Sequence, residues 1–115
     1  MKTTSDVMAD YLRVFVSRNS NSMAALYDKK AFVIWGERIW RGQDAIESFY
    51  NEIFDQVLPP DTEFDANKYE IIEQDIAYVV WSGSGPSSQI KLGVDTFVVR
   101  NGEIQSLTVY IEGDF

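Results

Sequence analysis

The chain has 115 residues, 45% of them apolar, with 10 Lys+Arg against 18 Asp+Glu, a formal charge of −8, and neither cysteine nor histidine. That length predicts one domain, residues 1–115, around a single core, and the scattered basic residues argue against a nucleic-acid partner, whose phosphates need clustered positive charge. Without Cys and His, disulfides, thiolate catalysis, Ser-His-Asp triads and the common zinc sites are excluded, so acid–base work falls to Asp, Glu, Tyr, Lys or Arg.

The N-terminus "MKTTSDVMADYL" lacks the apolar core of a signal peptide, and no run of 18 apolar residues follows, so the expectation is a soluble, cytoplasmic protein with no membrane partner. Val7, Met8, Tyr11, Leu12, Val14 and Phe15 form the stripe of an amphipathic helix over residues 5–18, with Ser5 placed to cap it. "RNSNS" breaks the pattern, and Asn21 or Ser22 can cap a short second helix, "MAALYD". "AFVIW" and "RIWRG" flank Gly36-Glu37 and predict two short strands around a tight turn. A third helix runs from Asp44 to about Gln56, with Ile46, Phe49, Tyr50, Ile53 and Phe54 on one side, and Pro59-Pro60 ends it.

After Pro60 the chain reads as four strands, "TEFDANKYEIIEQ", "IAYVVWSGS", "QIKLGVDTFVVR" and "EIQSLTVYIE". Asn101-Gly102 predicts a tight hairpin between the last two, since both central residues of a type I′ turn need positive φ. Three helices ahead of an antiparallel meander predict an α+β fold with the helices on one face of the sheet. No GxGxxG, P-loop or calcium-loop pattern is present, so no motif implies a metal or cofactor.

Asp95 stands out, because "LGVDTFVV" otherwise reads as a buried strand and an unpartnered carboxylate out of water costs several kcal/mol or gives up its charge. Alternation puts Gly93, Asp95, Phe97 and Val99 on one face and Val94, Thr96 and Val98 on the other. The acidic residues Glu63, Asp65, Glu70, Glu73 and Asp75 fall in turns or on polar strand faces and read as a solvated surface.

The order helix, helix, hairpin, helix and four strands resembles the SnoaL-like and ketosteroid-isomerase-like group of the nuclear-transport-factor-2-like superfamily. "LYDKKAFVIW…RGQDAIESFY" is similar to one of its segments, and "GVDTFVVRNGEIQSLTVYI" to its C-terminal hairpin. The resemblance implies a cone, three N-terminal helices packed in a strongly curved, mostly antiparallel sheet with a hydrophobic pocket at its open end. In ketosteroid isomerases a protonated carboxyl at the position matching Asp95 donates to the substrate's developing oxyanion. A first-helix tyrosine, matched by Tyr11 on an ungapped run to Tyr27, is the second donor.

The isomerase's general base falls at Trp35, which cannot abstract a proton, so that assignment lacks the roughly 10²–10⁴-fold such a base supplies. Glu37, two residues on, reaches inward only if the turn bends that way. The expected lining is Trp35, Phe54, Trp81, Phe97, Leu107 and Ile111, each of which a core role also explains. Tyr11 and Asp95 can equally satisfy each other as a structural pair. Two readings follow. One is a site for a small hydrophobic oxygen-bearing molecule with isomerase-, cyclase- or lyase-type chemistry; the other is a non-catalytic dimerisation or protein-binding domain. A homodimer is expected in either, because the helices cover only one face of the long strands.

Overall fold

A computed structural model describes residues 2–115, which form three helices and a six-stranded sheet. Helix α1, Thr4–Ser17, begins one residue before the expected cap Ser5. Thr3 takes that role because Asp6 lies three residues on: the Thr3 hydroxyl accepts the Asp6 N–H while the Asp6 carboxylate accepts the Thr3 N–H. Asn19, not Asn21 or Ser22, caps the short α2, Ser20–Ala24, by accepting the Ser22 N–H. That earlier cap frees Tyr27 from the helix to open strand β1, Tyr27–Trp35, which turns at Gly36 (φ +63°) into β2, Arg38–Arg41.

Helix α3, Gln43–Glu52, passes into a π-helical turn, Ile53–Val57, rather than running on as one α-helix. The wider turn buries Ile53, Phe54, Val57 and Leu58 together, ahead of the prolines. Strands β3 (Glu63–Glu73), β4 (Ile76–Ser84), β5 (Gln89–Arg100) and β6 (Glu103–Asp114) complete the chain. Asn101 and Gly102 adopt φ of +55° and +74°, as the hairpin requires.

The sheet order is β2-β1-β6-β5-β4-β3, antiparallel except where β1 runs beside β6. It is curved and open, an α+β arrangement with the helices on its concave side. Ala77, Val79 and Trp81 of β4, Phe97 and Val99 of β5, and Ile104, Leu107 and Val109 of β6 point inward onto Met8, Phe15, Phe49 and Tyr50. Register places Glu70, Val79, Asp95, Val109 and Trp35 in one row across β3, β4, β5, β6 and β1. Gly93 is fixed by close approach: a Cβ there would stand 2.0 Å from Cε2 of Trp81, its cross-strand neighbour. Only glycine lets that indole lie flat against β5, beside Asp95.

Candidate functional site

Three tyrosines from three elements meet inside the cone. The Tyr50 hydroxyl on α3 lies 3.0 Å from that of Tyr11 on α1 and 2.6 Å from that of Tyr27 on β1. Three hydroxyls bring three protons to two internal hydrogen bonds, so one proton remains free, at either end of the chain or on Tyr50 if it accepts both bonds. Tyr27 and Tyr50 are buried and bond no group outside the chain, so a free proton on either would lack an acceptor. The favoured order is therefore Tyr27 donating to Tyr50 and Tyr50 to Tyr11, which leaves the Tyr11 hydroxyl as the outward donor. Burial holds the phenols of all three far above the ordinary tyrosine range, and for Tyr11 the neighbouring Tyr27 and Asp95 add to it.

Tyr11 and Asp95 line the same cavity without a hydrogen bond between them, and Tyr11 bonds Tyr50 instead. Protein surrounds the Asp95 carboxyl on every side but the cavity, which keeps the residue partly accessible. That burial pushes its pKa from 3.8 to about 7, so near neutrality it exists as both donor and acceptor. The Trp81 indole N–H has no partner in hydrogen-bond geometry, yet it lies close enough to pull the Asp95 pKa back slightly. It is a spare buried donor beside the acid.

The cavity measures about 50 Å³, room for a few waters at ~10–15 Å³ each, and well short of the ~300 Å³ of a preformed drug-sized site. A larger ligand must part the α1 side chains Met8, Leu12 and Phe15 from β3, β4 and β6. Among the described residues no three acidic side chains converge where a metal ion could bind, and no helix is long and apolar enough to cross a membrane.

The sequence profile of the SnoaL-like domain matches residues 5–90. The chain belongs to this SnoaL-like family. No curated protein sequence matches it. Among solved structures it is similar to an NTF2-like protein from Mesorhizobium loti, with TM-score 0.76 and 19% identity over 96% of this chain and 91% of that one. It is also similar to a candidate ketosteroid isomerase from Kribbella flavida, with TM-score 0.77 and 16% identity over 97% and 79% of the two chains. A third is SalBIII, an epoxide hydrolase/cyclase-like enzyme of pyran-ring formation in the polyether salinomycin, with TM-score 0.75 and 16% identity over 97% and 95%. At these identities the likeness shows the fold.

In this SnoaL-like domain, Tyr11, Trp81, Asp95, Leu107 and Ile111 line the cavity, while Trp35, Phe54 and Phe97 stand apart from it. Phe97 is wholly buried and meets the Tyr11 ring edge-on at 4.8 Å, bracing it from behind. Phe54 packs on Phe15 at 5.2 Å with the Arg18 guanidinium over its ring at 5.0 Å. Trp35 stacks on Trp40 at 6.5 Å and touches Phe49 and Phe115, so the position that matches the isomerase base lies in an aromatic plug. Glu37 is exposed in its turn and does not reach the cavity.

Sequence reasoning missed the roles of Tyr50 and Tyr27. Tyr50 was detectable, because a tyrosine on an apolar helix face needs a hydroxyl partner. Tyr27 was hidden by its assignment to a helix.

Proposed function

We propose that this SnoaL-like domain binds a small hydrophobic molecule through a carbonyl or phenol oxygen, which accepts hydrogen bonds from Tyr11 and from neutral Asp95. The observation that carries this is the placement of the Tyr11 hydroxyl and the protonatable Asp95 carboxyl on one largely apolar cavity. Below pH 7, where Asp95 is mostly protonated, both groups donate, and they favour an oxygen that gains negative charge, at about 3 kcal/mol per donor in comparable oxyanion sites. That supports an isomerase- or cyclase-type step through an enolate, in line with the chemistry named for relatives of this fold. Trp35 supplies no base, and an Asp95 that donates its proton to the ligand oxygen cannot take one from carbon in the same step.

The test is titration of 4-ethylphenol, a small apolar probe with one phenol oxygen, into the intact protein, followed by NMR. Tyr11→Phe and Asp95→Leu, which each remove a donor, should each weaken binding about tenfold, near 1.4 kcal/mol and the upper range for one neutral hydrogen bond. Unchanged affinity in both variants would overturn the proposal.

The narrow cavity and the packed Trp35 favour a second reading, a non-catalytic domain that works through its outer surface. Under either reading we propose a homodimer through the outer sheet face, where Tyr69, Ile71 and Tyr110 are each more than half exposed. A clean monomer by light scattering at micromolar concentration would count against the dimer.

A further inference from the structure

Asp95 is not the only carboxylate that faces the cone. Glu70 pairs with Val79, and Val79 with Asp95. Residues paired across antiparallel strands point to the same side, so Glu70 turns inward with Asp95. Two strand spacings separate their backbones, about 9–10 Å. Glu70 is solvent-exposed and at the same time lines the mouth of the cavity.

The strand that carries it is irregular at the same place. Between the pairs Asp65↔Ser82 and Tyr69↔Val80, β3 advances four residues while β4 advances two. The resulting bulge brings Asn67 to the cavity rim next to Glu70. No lysine or arginine lines the cavity, and among the described residues Glu70 is in no ion pair. Between this rim and the Tyr11–Asp95 end the wall is apolar, with Met8, Leu12, Phe64 and Val79.

We propose that Glu70 and Asn67 form a second polar subsite at the cavity mouth, which takes the protonated amine of a ligand whose oxygen sits at Tyr11 and Asp95. The inference rests on the binding reading above and adds to it the ligand's class: an aromatic or alicyclic amine with an oxygen at its far end. The donor count agrees. An ammonium has three N–H groups, and the rim offers two Glu70 carboxylate oxygens and the Asn67 amide oxygen. A formal charge of −8 further favours a cation at the entrance.

The test compares tyramine with 4-ethylphenol, which differ by the amine alone, by calorimetry on the intact protein. Tyramine should bind about fivefold tighter, the upper range for a solvent-reached ion pair. Glu70→Gln should erase that advantage. Glu73→Gln removes the same charge three residues along β3, at a position that does not line the cavity, and should leave it intact. Equal effects of the two Gln variants, or no preference for tyramine, would overturn the subsite. The Tyr11–Asp95 reading would still stand if 4-ethylphenol binding falls in Tyr11→Phe. Failure of both probes to bind would overturn the two together.

Discussion

Asp95 and Trp35 occupy the same row of the sheet on the same concave face, with Val109 between them, and their surroundings are opposite. Around Asp95 stand an indole N–H without a partner, the Tyr11 hydroxyl and open space. Around Trp35 stand Trp40, Phe49 and Phe115, with Arg38 over Trp40 at 4.3 Å and doubly bonded to Glu52 at 2.8 Å. Closing rings on one another gains dispersion and edge contacts, whereas burying an acid beside a cavity costs desolvation. One half of the row serves the fold and the other is held at the fold's expense. Sites that bind or react commonly have this second character.

The sharpest way to break that contrast is to remove the acid. The Asp95 pKa is raised by folding, from 3.8 to about 7, so between those values the folded chain holds the proton more tightly than the unfolded one. Stability must then fall as pH rises from about 4 to 7, and the full penalty stands above 7. Asp95→Asn should raise stability by up to about 4 kcal/mol at pH 8, since each pH unit of displacement is worth ~1.4 kcal/mol, and should change it little at pH 4. Urea unfolding at the two pH values reads this. A loss of stability at pH 8 would mean that the carboxylate is well solvated and the site is not a costly one.

At the other end, Trp35→Ala should cost about 3 kcal/mol, the lower range for emptying a large aromatic position, because the ring is only partly buried. The same variant should bind 4-ethylphenol as the native chain does, since Trp35 does not touch the cavity. Weakened binding with stability intact would put Trp35 in the site and remove the distinction between the two halves.

Much of this was legible in the sequence because its signals are local. The three helices, the Asn101-Gly102 turn and the inward face of Asp95 follow from capping residues, turn chemistry and alternation, each set within a few neighbours. What escaped depends on long-range placement. The parallel β1–β6 pairing joins strands more than seventy residues apart, and it carries Trp35 into the Asp95 row. Glu70 is exposed, as its charge implies, and only its register with Val79 and Asp95 reveals that it also lines the cavity mouth. The bulge that brings Asn67 to the rim leaves no mark in "DANKY". The tyrosine chain needed three elements to converge, and the early end of α2 concealed one of them.

That chain gives the finest test, because Tyr50 and Tyr11 should fail in opposite ways. Tyr50 is the middle link and is 1% exposed; Tyr50→Phe strips both neighbours of their partner, including the fully buried Tyr27, at about 1–3 kcal/mol of stability. Tyr11 is the outer link, and Tyr11→Phe leaves the Tyr27–Tyr50 bond in place at about 0.5–1.5 kcal/mol. Affinity for 4-ethylphenol should reverse that order, falling about tenfold in Tyr11→Phe and less in Tyr50→Phe, where the donor itself survives. The reversal follows from the direction of the protons. If Tyr11→Phe proved the more destabilising and Tyr50→Phe the weaker binder, the free proton would lie at Tyr27, and Tyr11 would be a structural acceptor rather than the donor to a ligand.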